Sequence, residues 1–319
     1  MIAPGPARGE EGAVDERGLR RDEPLSRHTS MRVGGPADLF FEVETPDELA
    51  SRVRFARRRG LPLFVLGGGT NLVVSDLGVR GVVVKLGRGF AGTRWTEVPG
   101  AVRVEAGGAA NLKKLVRETI DRGLGGLEFA EGIPGTVGGG ILMNAGAFGG
   151  EISEATVSVG GVDREGEFVC IPRADLAFSY RRLALPAGFV VTSVVFEVAA
   201  GDREAIAARA ADARGKRGRH QPVGFPNAGS IFKNPPGDFA GRLIQKVGLR
   251  GLQIGNAQVA PGHGNFILNL GGARAADIRE LMERVRDEVW RRRGVWLQPE
   301  VKLVGDWGRG SWTGARPVV

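Results

Sequence analysis

Nineteen residues lie between Glu131 and Glu151 without a single charge, and eight of them are glycine. A second run, Gly67-Gly68-Gly69-Thr70-Asn71, ends the apolar segment PLFVL. Glycine lets a backbone come close to a ligand and aim successive N–H groups at its phosphates, so both runs are candidate phosphate cradles. A membrane helix is the competing use of an uncharged run. Pro134, the triplet Gly138-Gly139-Gly140 and the pair Gly149-Gly150 exclude it here, since each interior glycine costs a helix about 1 kcal/mol and proline about 3. The Gly67–Asn71 run is not GxGxxG and no helical pattern follows it, so an ordinary Rossmann site is not expected. A tight turn would explain either run alone. Both in one domain point to a ligand with two halves, such as a dinucleotide.

The elements that must position these runs are readable around them. ADLFFEVE (37–44) reads as a strand before a helix that opens on Thr45, with Pro46 at its first position and Glu48 closing a capping box. PLFVL, GVVVKL (81–86) and AVRVEAGG (101–108) read as strands, and NLKKLVRETIDRG as a helix capped by Asn111 and stopped at Gly123. TVSVGGVD, EFVCI and FVVTSVVFEV (189–198) follow as strands. Beyond residue 200 a helix over 202–213 precedes RGKRGRHQP, and AGSIFKNPPGDFAGRLIQKVG reads as a strand turning into a helix that buries Phe239, Leu243, Ile244 and Val247. On a regular strand Ser230, Phe232 and Asn234 share a face and Lys233 points away. A late helix carries Ile278, Leu281, Met282, Val285 and Val289 on one face before Gly294, and LQPEVKLVG (297–305) is the last strand. Strands and helices mix without a βαβ rhythm, which is an α+β pattern. The expected division is a disordered tail over 1–24, a first domain over 25–200, a second over 201–308 and a C-terminal tail over 309–319.

Composition narrows the function classes. The chain has 319 residues, 42% hydrophobic and 25% charged, with a net charge of +8. Only seven of the 44 basic residues are lysine, and the arginines gather at helix ends such as RFARRRG and EVWRRRG, where they complement the helix dipole. No basic stripe is interleaved with aromatics, so nucleic acid is not the expected partner. The single cysteine, Cys170, reads as a buried small hydrophobe, and the three histidines show no metal-ligand spacing. No apolar secretory segment opens the chain, so a cytoplasmic protein without a membrane partner is expected.

The motifs LGGGTNLVVSD, GIPGTVGGGILMNAGAFGGE, FSYR, AGSIFKNPPGDFAGRLIQKVGLRG, GNAQVAPGHGNFILN and LQPEV occur in this order. Together they resemble the UDP-N-acetylenolpyruvoylglucosamine reductases, the MurB family of cell-wall precursor flavoenzymes, over residues 25–305. The short spacing between FSYR and AGSIFKNP is similar to that of the family's type without an inserted tyrosine-bearing loop. The resemblance implies an FAD-binding domain of the vanillyl-alcohol-oxidase (PCMH) type, followed by a smaller α+β substrate domain. It implies that NADPH reduces FAD, which then reduces the enolpyruvyl ether of a UDP-sugar to a lactyl ether. A monomer is expected.

By the same resemblance Ser230 is the proton donor, and Arg181 and Glu300 stabilise the intermediate. Arg181 suits a carboxylate because a guanidinium can bind two oxygens at once. Glu300 suits the role in its protonated form, hydrogen bonding rather than repelling. Gly67, Gly68, Gly69, Thr70 and Asn71, together with Gly132, Ile133, Pro134, Gly135, Thr136, Gly138, Gly139, Asn144, Ala145 and Gly146, are the implied FAD contacts. Tyr180 and Asn234 are the implied contacts to the UDP-sugar. Two positions depart from the family pattern: Leu183 stands where a serine is usual and His220 where a lysine is usual. Two other readings compete. An oxidase of the same fold would tether its flavin through histidine or cysteine, and neither glycine run holds one. A basic RNA-binding protein without catalysis would not need Arg181, Ser230 and Glu300 together.

Overall fold

The computed structural model describes residues 18–222 and 224–308. Leu19–Pro24 (β1), Pro36–Val43 (β2), the helix Pro46–Arg58 (α1), Leu63–Leu66 (β3), Leu72–Val74 (β4) and Val79–Leu86 (β5) come first. Four of the strands form a sheet in the order β1-β2-β5-β3, with β5 parallel to both β2 and β3. Val82, Val83 and Val84 of β5 are buried on alternating sides, as a central parallel strand requires. Leu49, Val53 and Phe55 of α1 cover one face against Phe41, Val43 and Val84. The Thr45–Glu48 capping box fixes where α1 begins.

The expected disordered tail over 1–24 is too long. β1 pairs antiparallel with β2 from Leu19↔Phe41 to Pro24↔Pro36. Its sequence, LRRDEP, has no apolar alternation because β1 is the sheet's edge, where charged residues belong. Ladder bonds, the Arg20–Glu42 ion pair and the Arg20 guanidinium over the Phe40 ring hold it. Residues 1–17 and the tail 309–319 lie outside the described residues.

The chain then builds a second, antiparallel layer. Its elements are Thr93–Val98 (β6), Ala101–Gly107 (β7), Leu112–Asp121 (α2), Leu124–Gly125 (β8), Val137–Leu142 (α3), Gly146–Ala147 (β9), Gly150–Glu151 (β10), Thr156–Val162 (β11), Phe168–Pro172 (β12), Ala177–Ser179 (β13), Arg182–Ala184 (β14) and Val190–Ala200 (β15). The sheet order is β12-β11-β15-β7-β6, with β8 on the far end of β15. Leu115 and Val116 of α2, Ile141 of α3 and Phe196 of β15 meet in its core. Cys170 is exposed on β12, against expectation. β12 is an edge strand, and an apolar run marks a strand without saying whether a layer covers it.

Arg203–His220 (α4) runs past the expected end at 213 and through Gly215 and Gly218. It does not open the second domain, as the 201 boundary required. It packs on β8 and the turn after it, with Ile206 beside Gly125 and Arg209 paired to Glu128 at 2.7 Å.

Ala240–Lys246 (α5), Gln253–Ile254 (β16), Ala257–Val259 (β17), Ile267–Asn269 (β18), Ala275–Arg293 (α6) and Lys302–Val304 (β19) complete the chain. The apolar face of α6 (Ile278, Leu281, Met282, Val285 and Val289) packs with Leu243 and Ile244 of α5, and Met31, Val33 and Val73 from the first half join the same core. Two further ties cross between the halves. β19 pairs in parallel with β4, and both Asp76 carboxylate oxygens accept from the first backbone amides of α6, Ala275 and Ala276, at 2.8 and 2.9 Å. Phe239 is not buried by α5 but 63% exposed, because it is the residue that precedes the first turn.

Candidate active site

The two glycine runs, more than sixty residues apart in sequence, meet backbone to backbone. A Cβ on Gly68 would stand 3.0 Å from the Gly135 Cα, and one on Gly67 3.0 Å from the Thr136 hydroxyl. The Thr70 hydroxyl donates to Pro134 O at 3.4 Å. Gly69 and Gly135 have φ of +63° and +119°, and a Cβ on Gly69 would lie 2.0 Å from His28 O. These positions need glycine for conformation and for space at once. Among the described residues, the backbone N–H groups of Gly68, Gly69, Thr70, Gly135 and Thr136 have no protein acceptor. Unclaimed donors on two facing loops fit the diphosphate of a dinucleotide.

Three other segments bring side chains together. β13 and β14 form a hairpin whose two-residue turn is Tyr180-Arg181. Arg181 takes φ +56°, a left-handed conformation that strains a residue with a Cβ. From that turn its Nε donates to Glu300 Oε1 at 3.1 Å, each side chain being 18% exposed. The third segment is Gly229–Asn234. Glu300 N donates to Ile231 O at 2.8 Å and Lys233 N to Gln298 O at 2.8 Å, which lays the segment beside Gln298–Glu300. The other flank is clamped by Asn265, whose side chain accepts from Phe232 N and donates to Phe232 O. Ser230 stands partly exposed at the start of this clamp. Its hydroxyl forms no hydrogen bond among the described residues, so it is available to a ligand.

Burial pushes the Glu300 carboxyl above the usual glutamate range, although Arg181 and then Lys233 pull it down. Lys233 is held below the usual lysine range by burial first, then by Lys302, while Glu300 opposes. Burial also lowers Arg217, with Arg181 adding to the effect. These groups make the site rich in cations, and the Glu300 carboxyl favours the neutral state more than usual. An anionic group would be stabilised there.

Two family models match the chain. "FAD binding domain" matches residues 37–171, and "UDP-N-acetylenolpyruvoylglucosamine reductase, C-terminal domain" matches residues 221–304. UDP-N-acetylenolpyruvoylglucosamine reductase 2 of Symbiobacterium thermophilum is 46% identical over 92% of this chain and 94% of its own length. The reductase of Syntrophus aciditrophicus is 44% identical over 90% of this chain and 92% of its own. The chain belongs to the UDP-N-acetylenolpyruvoylglucosamine reductase family. The crystal structure of UDP-N-acetylenolpyruvylglucosamine reductase (MurB) from Thermus caldophilus, 38% identical, matches with a TM-score of 0.77 over 90% of this chain and 99% of that one. The expected class, an FAD-binding domain followed by an α+β C-terminal domain, is borne out.

The expected MurB site residues do not all stand where the sequence places them. Arg181 and Glu300 touch, and the Ser230 segment is bonded to the Glu300 backbone. The Asn144 side chain is already engaged within the protein. It is buried, with its carboxamide donating to Glu151 and to Ser179 O and accepting from Ser153 N, which ties β9 and β10 to the Arg181 hairpin. Gly146 is glycine for a local reason: a Cβ there would lie 2.6 Å from the backbone oxygen of Gly150 on the paired strand. Asn71 points its carboxamide at Glu300 O, 3.1 Å away. Asn234 uses its carboxamide oxygen to accept from Ala240 N at the start of α5. Tyr180 is exposed, with the Arg181 guanidinium 5.0 Å from its ring centre.

The expected strand through Ser230 is not formed. Only Phe232 bridges, to Pro299. Ile231 and Phe232 are both buried, so the two-residue alternation fails, and Lys233 faces the Glu300 cluster instead of away. Arg217 was also missed. It lies against Gly132, and its Nε donates to Glu131 O at 3.2 Å. An arginine in a basic helix end gives no local sign of burial. Leu183, the departure from the family pattern, fills the core under the hairpin. The side chain of His220 lies outside the described residues.

Proposed function

We propose that the chain is an FAD-dependent reductase that uses NADPH to reduce the enolpyruvyl ether of UDP-N-acetylglucosamine enolpyruvate to the lactyl ether of UDP-N-acetylmuramate. The Arg181–Glu300 contact beside the Ser230 segment carries this reading, because the reaction needs a carboxylate clamp and a proton donor together. Gly67–Thr70 and Gly132–Thr136 would hold FAD through backbone donors, a fit supported by the unclaimed amides on the facing loops. Bound there, FAD would supply the hydride chemistry, passing reducing equivalents from NADPH to the terminal carbon of the enolpyruvyl group.

The chain's own residues handle the charge that follows. As the terminal carbon becomes a methyl group, an electron pair builds on the adjacent carbon and spreads into its carboxylate. Arg181 keeps donors beyond the one it gives Glu300, and these would meet that carboxylate. Glu300, whose carboxyl burial shifts toward the neutral form, would in its protonated state donate a hydrogen bond to the same group. The Ser230 hydroxyl would give its proton to the adjacent carbon, completing the saturated ether. Serine is a weak acid, but the acceptor is strongly basic and close. Tyr180 and Asn234 would contact the UDP-sugar. The reading takes the protein as a cytoplasmic monomer, which cell fractionation and sedimentation would test.

Visible spectroscopy under anaerobic conditions tests the reaction. The purified protein should be yellow, bleach with NADPH, and regain its colour only when the enolpyruvyl UDP-sugar is added. A protein that stays colourless after incubation with FAD, or bleaches and never recovers, would overturn the reading.

A further inference from the structure

Asn71 closes the Gly67–Asn71 run, and its side chain makes none of the local bonds an asparagine in a turn usually makes. It reaches 229 positions along the chain instead, where its carboxamide nitrogen donates to Glu300 O at 3.1 Å. Its own carbonyl accepts from Lys302 N at 2.9 Å. The two bonds pinch residues 300–302 onto the end of the loop, just before β4 and β19 pair with Leu72 opposite Lys302. On its other side Glu300 donates its backbone N–H to Ile231 O at 2.8 Å, next to Ser230. Its carboxyl meets Arg181 at 3.1 Å. Glu300 is therefore held at three points by three segments, and Asn71 is the point that belongs to the cofactor loop.

We propose that Asn71 is a positioning residue: it sets the place of the Glu300 carboxyl through the Glu300 backbone and couples that carboxyl to the loop assigned to FAD. This rests on the function proposed above. A donor on the carbonyl fixes the peptide that follows Glu300, and the N–H bond to Ile231 fixes the one before it. With both peptides fixed, the Cα–Cβ direction is set, and the side chain enters the pocket at one angle. Freeing the carbonyl lets the peptide rotate, and displacement of a reacting group by an ångström can cost about a hundredfold in rate.

The test is a double-mutant cycle on the full-length holoenzyme, with Asn71→Asp and Asn71→Ala each combined with Glu300→Gln. Asn71→Asp keeps the shape and removes the donor, so it answers the question even if Asn71→Ala folds poorly. Three quantities are read for each protein: the FAD dissociation constant of the stripped protein, the rate of flavin reduction by NADPH, and the rate of reoxidation by the enolpyruvyl UDP-sugar. Both single Asn71 variants should slow reoxidation by about 10- to 100-fold. FAD affinity and the reduction rate should stay within about threefold of wild type. In the Glu300→Gln background the same substitutions should cost less than about twofold, because coupled residues do not add. Losses that multiply in the double variant would overturn the proposal, as would FAD affinity and both half-reactions falling together. Failure of the wild-type protein to reoxidise with the UDP-sugar would instead count against the functional reading, before any variant is compared.

Discussion

The two halves of the site are built differently. The facing loops Gly67–Thr70 and Gly132–Thr136 offer backbone, and they need glycine because a Cβ on Gly67, Gly68 or Gly135 would press on the facing loop and one on Gly69 would meet His28 O. The cluster of Arg181, Ser230 and Glu300 offers side chains, drawn from three segments separated by up to 119 residues. A backbone cradle is specified by local sequence. A side-chain cluster is specified by everything that folds the chain back on itself: the β13–β14 hairpin, the Asn265 clamp and the pairing of β19 with β4. The comparison predicts that the two halves fail separately, cofactor binding with one and reaction of the UDP-sugar with the other.

The sharpest separation should come from Ser230→Ala. Stopped-flow absorbance should show NADPH reducing the flavin at the wild-type rate, with reoxidation by substrate slowed by about 10²- to 10⁴-fold, the usual worth of a positioned proton donor. Equal loss in both half-reactions would break the distinction. The converse change is Gly69→Ala. The new Cβ would stand 2.0 Å from His28 O at a φ of +63°, so the loop must move, at a strain of about 1–3 kcal/mol. FAD affinity and thermal stability should both fall, measured by flavin titration and by melting.

A smaller effect is expected where the halves join. Asp76→Ala removes the carboxylate that caps α6 from across the molecule. Loss of such a cap costs about 0.5–2 kcal/mol. The melting temperature should drop by a few degrees with FAD affinity unchanged. The smallest is a pH effect from Glu300. Its carboxyl titrates above the usual glutamate range in the folded protein because it is buried. The folded state then binds more protons than the unfolded one, so this contribution is complete below the usual glutamate pKa and is lost as pH rises through the raised value. Glu300→Gln should therefore show a flatter decline of stability from acid to neutral pH than wild type in denaturant titrations.

Much of this was legible because its causes are local. The α1 capping box, the Asn111 cap, the glycine that ends α6 and the crowding of the glycine runs all act within a few residues. What escaped depends on distant partners. β1 is a polar edge whose strand character comes from β2. Lys233 faces Glu300 because the backbone beside Gln298 is irregular, so a two-residue period misplaces it. Asn71 and Asn144 read as loop residues near a cofactor, yet each is committed to a contact with a remote segment. The three proposed reacting residues were nominated only through the family motifs, since none carries a local sign of the others.

The most direct test of the division is one titration on Arg181→Ala. Its FAD-free form should bind FAD with a dissociation constant within about threefold of wild type, while its reduced flavin is reoxidised by the UDP-sugar at least about a hundredfold more slowly. If FAD affinity falls in step with reoxidation, the loops and the cluster act as one unit and the account is wrong.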